Sequence, residues 1–163
     1  MHEYTVRPIT SEDQDFLWEI VYHAIHVPPG AEPPPRSILN EPGVSKYVRE
    51  WGRPGDFGLL AEEQKTSQRI GAAWLRLFTL DDPGYGFVDE NIPELSIALF
   101  PGFRGSGIGT ALMTRIFEHA KSLYPAVSLS VVASNPALRL YERLGFQRVS
   151  VTGNSITAQL RFA

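Results

Sequence analysis

The chain has 163 residues, of which 43% are hydrophobic and 20% charged, and its formal net charge is −3. This length suits a single folded domain with a substantial core, expected to span residues 1–163. The negative charge does not favour a nucleic-acid partner, and the absence of cysteine excludes disulfides, a thiolate nucleophile and cysteine-ligated zinc. The histidines show no spacing typical of a metal site, so no metal is expected.

The pattern of apolar residues gives no sign of membrane attachment. No apolar stretch is long enough to span a bilayer, and the first ten residues, MHEYTVRPIT, lack the apolar middle of a signal peptide. We therefore expect a cytoplasmic protein with no membrane partner.

The first predicted elements are a strand and a helix. EYTVRPI (residues 3–9) alternates as a short strand, with Pro8 typical of an edge or a strand end. TSEDQDFLWEIVYHAI (10–25) predicts a helix, opened by a capping box of Ser11 and Gln14. Its apolar stripe is Leu17, Ile20, Val21 and Ala24.

A proline-rich loop and a hairpin follow. Five prolines make HVPPGAEPPPRS (26–37) an exposed loop, and EPGVSKYVREWG (41–52) predicts a second helix. DFGLLAEE and RIGAAWLRLF predict two strands joined by a turn at QKTSQ. Trp74, in the second of these strands, is expected in the core of the sheet.

The second half of the chain alternates strands and helices. After the turn-rich segment 81–93, ELSIALF (94–100) predicts a strand buried on both faces. A helix over 107–123, a buried strand AVSLSVV, a short helix in SNPALRLYERLGF and a hairpin of FQRVSV and SITAQLRF complete the chain. The predicted order, β-α-α-β-β-β-α-β-α-β-β, is that of an α/β domain. One side of the long helix carries Ile108, Leu112, Ile116, Ala120 and Leu123.

A glycine-rich turn, PGFRGSGIGTALM (101–113), connects the central strand to the long helix. A helix N-terminus has unpaired N–H groups and a partial positive charge, and glycines allow an anion to approach the backbone closely. Residues 104–109 therefore suit a pyrophosphate, with Arg104 adding a charge-assisted bond. The alternative is a tight turn that needs glycine only for its geometry. The spacing matches neither a P-loop nor the dinucleotide-binding G-x-G-x-x-G.

Two motifs resemble those of the GCN5-related N-acetyltransferase (GNAT) superfamily. RGSGIG has the form R-x-x-G-x-G of its acetyl-CoA motif, and SNPALRLYERLGF resembles its N-x-x-A-x-x-x-Y-x-x-x-G-F helix, with Leu138 where alanine is common. We match Asn135, Tyr141, Gly145 and Phe146 to that helix. The motifs span residues 94–146, whereas the first third of the chain fits in layout only. The resemblance implies a mixed, mostly antiparallel sheet of six to seven strands flanked by about four helices.

The resemblance also implies acetyl-CoA as co-substrate. In the family, the strand before the glycine turn has a bulge and splays from the next strand, and the pantetheine lies in the gap. A backbone N–H near Leu99 would polarise the thioester carbonyl, and Asn135 would both cap its helix and contact the cofactor. The expected cofactor-binding residues are Ala98, Leu99, Phe100, Arg104, Gly105, Ser106, Gly107, Ile108, Gly109, Thr110, Asn135 and Tyr141.

The expected catalytic residues are Tyr141, Glu94 and the backbone of Leu99. Tyr141 would protonate the departing CoA thiolate, the alternative being a core tyrosine. Glu94 matches a position where many relatives have a glutamate that acts through water, the alternative being an ordinary strand-end carboxylate. Asp89 and Glu90 are weaker alternatives for the base. Direct attack of the amine in a ternary complex needs no covalent enzyme intermediate.

We therefore expect an acetyl-CoA-dependent N-acetyltransferase acting on a primary amine of a small molecule or peptide. The alternatives are transfer of a longer acyl group and a CoA-binding sensor without turnover. The acceptor should lie between the first two helices and the loop before the central strand, and a homodimer through the C-terminal hairpin is a further expectation. The residues considered for this acceptor site are Tyr22, His26, Trp51, Asp81, Asp82, Tyr85, Phe87, Asp89 and Glu90.

Overall fold

Seven strands form one sheet in the computed structural model, which describes residues 3–162. In chain order they are β1 (Tyr4–Pro8), β2 (Phe57–Glu63), β3 (Arg69–Arg76), β4 (Glu94–Leu99), β5 (Ala126–Val132), β6 (Gln147–Thr152) and β7 (Ser155–Arg161). Their order across the sheet is β1-β2-β3-β4-β5-β7-β6, and only the β4–β5 pair of these described strands is parallel. Met1, His2 and Ala163, at the ends of the expected domain, lie outside the described residues.

The helices occur in the predicted places in the chain. They are α1 (Gln14–Ala24), α2 (Pro42–Ser45), α3 (Ile108–Ala120) and α4 (Ala137–Arg143), with short 3₁₀ turns at Ser11–Asp13, Arg36–Asn40 and Pro101–Phe103. The predicted element order is therefore confirmed, and so is the mixed, mostly antiparallel sheet.

The second helix is much shorter than its predicted extent, 41–52. The carbonyl oxygens of Lys46 and Arg49 accept hydrogen bonds from Nη1 of Arg76, at 2.9 and 2.7 Å. Glu50 then adopts a φ of 55°, which ends right-handed helical geometry. A contact with β3 thus replaces the helical pattern that the local sequence favours.

The start of α1 also differs from its predicted cap. The capping box joins Thr10 to Asp13 instead of Ser11 to Gln14: the Asp13 carboxylate accepts the Thr10 N–H at 2.8 Å. Arg7 donates to both oxygens of Asp13, and Arg69 donates to one of them. These two arginines come from β1 and β3, so the tertiary structure selects Asp13 as the capping carboxylate.

Two apolar layers cover the two faces of the sheet. Leu95, Leu112 and Ile116 belong to the layer beneath α3, and Leu17 and Trp74 belong to the layer beneath α1. The strand β4 contributes to both layers, and Trp74 is fully buried, as predicted. Ala24 and Leu123 are exposed, so the predicted apolar stripes of α1 and α3 each extend one residue too far.

A row of polar residues crosses the sheet at the beginning of β4. Direct register partners join Arg76 to Glu94, Glu94 to Ser128, Ser128 to Gln159 and Gln159 to Gln147. Direct cross-strand partners lie on the same face of a sheet, so these side chains share the face that carries α1. The row is buried at Arg76, Glu94 and Ser128 and exposed at Gln147.

Candidate active site

The strands β4 and β5 diverge at the centre of the sheet. Their register contains a single pair, Glu94 with Ser128, at the beginning of β4. Beyond this pair the described residues of the two strands are not joined, which leaves a gap between them. The expected splay is therefore present.

The expected bulge in β4 is absent. All of its residues pair with β3 in constant register, from Arg76 with Glu94 to Gly71 with Leu99. The register shifts that the sheet does contain lie at Ala61/Glu62 and at Arg148/Ser150. The prediction of a bulge was wrong because the gap opens on the β5 side alone, with the β3–β4 ladder intact.

The constant register decides which backbone groups face the gap. The Phe100 N–H donates to the Ile70 carbonyl at 2.9 Å, so it points towards β3. Backbone groups alternate in direction along an antiparallel strand, so Ala98 also faces β3, whereas Ile97 and Leu99 turn theirs to the gap. Ala98, Leu99 and Phe100 are the residues expected to pair with pantetheine. Of these, Leu99 is the one whose N–H faces the gap. Ile97 is a further backbone partner, which the motif did not indicate.

The glycine turn has the geometry of an anion cradle. Gly105 and Gly107 have φ values of 75° and 84°, which favour glycine, and Gly107 is the N-cap of α3 without a side-chain cap. Among the described residues, no acceptor receives the N–H groups of residues 105–110. A Cβ at Gly105 or Gly107 would meet no atom within 4 Å, so the turn is open to a ligand. These features fit the pyrophosphate of a CoA thioester.

Arg104 connects the cradle to two other elements. Its Nε donates to the Leu99 carbonyl at 3.2 Å, and its Nη2 donates to the His23 carbonyl at 3.3 Å. The first bond holds the turn against the end of β4, and the second holds the C-terminal end of α1. The guanidinium is exposed, so its charge remains close to the cradle.

Asn135 lies one position before Pro136, the N-cap residue of α4, and its side chain bonds the first residue of that helix. Its Oδ1 accepts the Ala137 N–H at 3.0 Å. The side-chain amide nitrogen makes no hydrogen bond within residues 3–162 and is free to donate to a ligand. The expected contact with the cofactor remains a prediction.

The spacing around α4 departs from the motif by one residue. Tyr141 lies six positions after Asn135, whereas N-x-x-A-x-x-x-Y places the tyrosine seven positions after the asparagine. The second half of the motif, from Tyr141 to Gly145 and Phe146, has the expected spacing. The match of Tyr141 therefore depends on its distance to the glycine, and one residue of the motif is missing between Leu138 and Tyr141.

Tyr141 lies mostly in the core. Its side chain is 9% exposed, and its ring packs edge-on against Phe146 with 6.0 Å between centroids. Burial raises the pKa of Tyr141 to about 12, so the phenol keeps its proton at neutral pH. Its hydroxyl makes no hydrogen bond to any described residue. Tyr141 is thus a core tyrosine with an unpaired hydroxyl, which is compatible with either of the two interpretations of the sequence.

Glu94 is buried, with a protein donor on each carboxylate oxygen. The Tyr47 hydroxyl donates to Oε2 at 2.5 Å, and the Gly86 N–H donates to Oε1 at 3.1 Å. Burial raises the pKa of Glu94 to about 7, while these hydrogen bonds and the positive charge of Lys46 oppose the rise. A carboxyl group with a pKa near neutrality is suited to exchange protons at physiological pH.

Sequence reasoning did not find Tyr47. It lies in the turn after α2, inside a segment that the local pattern predicts as helix. The sequence does contain one signal of close packing around Glu94, namely the glycines on either side of Tyr85. A Cβ at Gly84 would lie 2.3 Å from Oε1 of Glu94, and a Cβ at Gly86 would lie 2.6 Å from the Leu129 backbone.

Several of the residues considered for the acceptor site have structural partners. The Tyr22 hydroxyl donates to the Pro34 carbonyl, and the Trp51 ring lies 5.7 Å from the guanidinium of Arg76. The Asp82 carboxylate pairs with Lys46 at 2.7 Å. Glu90 accepts the Leu80 N–H at 2.9 Å, and Asp89 accepts that of Asn91. Tyr85 is 68% exposed beside Glu94 and remains placed to meet a ligand.

Comparison with known families agrees with this geometry. The model of the acetyltransferase (GNAT) family matches residues 18–146, which is most of the chain. The chain belongs to the GNAT family. The matched part begins inside α1 and includes α2, which the motifs by themselves did not reach, as well as the gap and the cradle.

Solved GNAT structures share the fold over nearly the whole chain. The PaiA N-acetyltransferase of Thermoplasma acidophilum, in complex with coenzyme A, has a TM-score of 0.69 and 18% identity over 98% of this chain and 99% of its own. YncA of Salmonella typhimurium, with its cofactor acetyl-CoA, has a TM-score of 0.68 and 20% identity over 99% of this chain and 95% of its own. At these identities the likeness shows the fold alone.

A curated relative matches part of the sequence more closely. The N-alpha-acetyltransferase of Sulfurisphaera tokodaii is 45% identical over 60 residues. The match covers 35% of this chain and 36% of the relative, so it spans about a third of each protein.

Between residues 3 and 162, no helix has both the length and the apolar character needed to cross a membrane. The same residues contain no group of three or more histidine, aspartate or glutamate side chains placed to hold a metal ion.

Proposed function

We propose that this GNAT protein is an N-acetyltransferase that uses acetyl-CoA and acts on a primary amine. The observation that carries the proposal is the cradle: the N–H groups of residues 105–110 lack acceptors at the N-terminus of α3, beside the β4–β5 gap. Positive charge at a helix terminus and open space suit a pyrophosphate. The PaiA and YncA structures, which contain coenzyme A and acetyl-CoA, support the same ligand here.

Acetyl-CoA would supply an acetyl group activated as a thioester, held against the gap by the backbone of Ile97 and Leu99. The Leu99 N–H is directed towards the gap because the intact β3–β4 ladder alternates its backbone groups. A fixed donor of this kind stabilises negative charge on a carbonyl oxygen without reorganising. Leu99 would therefore bind the thioester carbonyl by its N–H.

Glu94 would accept the proton of the amine through water. A free alkyl amine has a pKa of about 10.4, so it must lose a proton before it attacks. The pKa of Glu94 of about 7 allows the carboxylate to take up a proton and release it again near neutral pH. Glu94 is buried at the apex of the gap, where the Glu94–Ser128 pair joins β4 to β5, and the acceptor would approach it from the segment 84–86.

Tyr141 would stabilise the departing thiolate by donating a hydrogen bond. A thiol has a pKa of about 8.5, well below the pKa of about 12 that burial gives Tyr141, so complete proton transfer to the thiolate is unfavourable. A hydrogen bond from a neutral phenol to a charged sulfur avoids this cost. The unpaired Tyr141 hydroxyl is available for it.

The first acceptor class to test is an α-amino group at a peptide N-terminus. The name of the Sulfurisphaera relative, an N-alpha-acetyltransferase, supports this choice, and small amines are the comparison set. The segment 84–86, with the exposed Tyr85 ring beside Glu94, would meet the acceptor.

Thermal unfolding with acetyl-CoA, dephospho-CoA and ATP tests the cofactor. A ligand at a hundred times its Kd stabilises the native state by about 2.7 kcal/mol, and each kcal/mol raises the Tm of a chain of this size by about 2–4 °C. A rise with acetyl-CoA and little change with ATP is expected. No rise at saturating acetyl-CoA would contradict the proposal.

Release of free CoA thiol with a panel of peptides and small amines tests turnover. Thiol release that depends on the amine is expected. Binding of acetyl-CoA without thiol release would identify a CoA-binding sensor. Thiol release only from longer acyl-CoA donors would show that the protein transfers a longer acyl group.

A further inference from the structure

Tyr47 connects the candidate base to the loop that covers it. Its hydroxyl donates to Oε2 of Glu94 at 2.5 Å and accepts the Tyr85 N–H at 2.7 Å. Its backbone carbonyl accepts Nε1 of the buried Trp74 at 3.0 Å. With 8% exposure, Tyr47 is held in the core from both ends of the residue.

The segment 84–86 closes around the same carboxylate. The Gly86 N–H donates to Oε1 of Glu94, and a Cβ at Gly84 would lie 2.3 Å from Oε1 and 2.8 Å from the Tyr47 hydroxyl. Glycine at position 84 is therefore required for this approach. Both oxygens of Glu94 face donors, and donors on both oxygens favour the ionised form.

Of the other groups that the structure describes around Glu94, Lys46 also favours its ionised form, and the rest leave its charge unpaired by any further cation. Lys46, from the turn after α2, contributes a positive charge that lowers the pKa of Glu94. Arg76 is the register partner of Glu94, but its guanidinium is directed to Asp56. From the loop, the Tyr85 ring stacks on that of Tyr47 at 6.4 Å. From β5, the neutral Ser128 is the neighbour.

We propose that Tyr47 is the positioning residue for Glu94: its hydroxyl favours the ionised form of the buried carboxylate and ties the orientation of that carboxylate to the segment 84–86. This inference rests on the proposed function for the role of Glu94 as proton acceptor. Without the hydroxyl, Oε2 would lose its donor and Tyr85 would lose the acceptor of its N–H. Glu94 and the segment 84–86 would then no longer be connected through the Tyr47 hydroxyl.

The test is a pH titration of the Glu94 side chain in Tyr47→Phe and in wild type. The carboxyl carbon NMR signal of Glu94 is monitored without any substrate. A hydrogen bond to a charged group corresponds to about one to two pH units, so the pKa of Glu94 should rise by that amount. The acidic limb of the kcat/KM profile should move upwards equally. An unchanged Glu94 pKa would overturn the inference, whatever happens to activity.

Two further variants keep the test decisive. Tyr124 is half-buried and packs against the layer beneath α3, on the other face of the sheet from Glu94, so Tyr124→Phe should leave the pKa of Glu94 unchanged. If Tyr47→Phe does not fold, 3-fluorotyrosine incorporated at position 47 keeps the hydroxyl and makes it a stronger donor. It should lower the pKa of Glu94, and a pKa that stays the same or rises would also overturn the inference.

The outcomes separate this inference from the proposed function. The titration needs neither acetyl-CoA nor turnover, so a shifted Glu94 pKa in a protein that does not bind acetyl-CoA would refute only the proposed function. Amine-dependent thiol release together with an unshifted pKa would refute only the role of Tyr47.

Discussion

Glu94 and Ser128 form the register pair at which β4 and β5 meet, and the gap opens beyond them. The apex of the gap is polar, because Glu94 is a buried carboxyl group and Ser128 is fully buried. Within the described residues, the Ser128 Oγ has no hydrogen-bond partner, and neither has Oε1 of Gln159, the next residue in the row.

Ser128→Ala should raise the free energy of unfolding by up to about 1 kcal/mol, because it removes a buried hydroxyl that has no partner. Ser130→Ala is the matched control on the same strand: Ser130 shares a hydrogen bond of 3.1 Å with Ser155, so its loss should cost about 0.5–1.5 kcal/mol. Urea unfolding measures both. Destabilisation by Ser128→Ala would show that its hydroxyl is satisfied in solution.

Glu94→Gln should reduce turnover by about 10²–10⁴-fold if the carboxylate accepts the amine proton. Wild-type stability should fall as pH rises from about 4.5 to about 7, because the folded state holds the Glu94 proton more tightly than the unfolded chain does. The variant lacks this effect. It should therefore gain roughly 3 kcal/mol relative to wild type between about pH 4 and about pH 8. Unfolding at both pH values checks the sign, and an equal difference at both would contradict a raised pKa.

Gly107→Ala should weaken acetyl-CoA binding by about tenfold or more, because the added Cβ occupies open space at the cradle. Gly153→Ala, in the turn between β6 and β7, is the matched control: it also has a positive φ and open space around its Cβ position. Both variants should lose about 1–2 kcal/mol of stability. Calorimetric titration with acetyl-CoA measures the affinity of each variant. Equal affinities would show that the cradle is not part of the binding site.

Tyr141→Phe should reduce turnover by about 10²-fold, because the departing thiolate loses a hydrogen-bond donor, while the affinity for acetyl-CoA and the stability should not change. The Tyr141 hydroxyl makes no hydrogen bond to the described residues, so its removal breaks no internal contact. Initial rates, calorimetry and thermal unfolding are compared with those of Tyr124→Phe, which should behave as wild type. Unchanged turnover would leave Tyr141 as a core residue only.

Asp56→Ala should destabilise the protein by about 3–5 kcal/mol, because it leaves the Arg76 guanidinium unpaired in the core. The two side chains are 1% exposed and share two hydrogen bonds, at 3.0 and 2.8 Å. Asp56 also accepts the N–H groups of Gly52 and Arg53, whose hydrogen exchange should accelerate. Glu118→Ala breaks the exposed pair with Lys121 and should change stability by less than about 1 kcal/mol. Similar losses in the two variants would contradict the structural role of the buried pair.

Much of the fold could be predicted from local patterns. AVSLSVV is confirmed as a strand over its whole predicted extent by β5, and the glycine turn does precede a helix. The second helix was predicted wrongly because Arg76, which is 27 residues or more away along the chain, takes the carbonyls of Lys46 and Arg49. A pairing over that distance leaves no trace in the local periodicity.

The residues of the candidate site also fall into two groups, those that the sequence indicated and those that only the tertiary structure showed. The cradle could be proposed from its glycine spacing, which is a local feature, and Glu94 from its match to a position where many GNAT relatives have a glutamate. Tyr47 could not, since its meeting with Glu94 joins residues 47 positions apart. The bulge was expected by resemblance and is absent, so the backbone groups that face the gap followed only from the register of β3 and β4.

The sequence by itself determined the class of fold, the order of the elements and the place of the glycine turn before α3, because alternation, helical periodicity and glycine conformation depend on neighbouring residues. The tertiary structure decided the length of α2, the direction of the Leu99 N–H and the surroundings of Glu94. Each of these depends on which strands and loops lie beside one another, and burial and hydrogen bonding at a residue are set by neighbours in space.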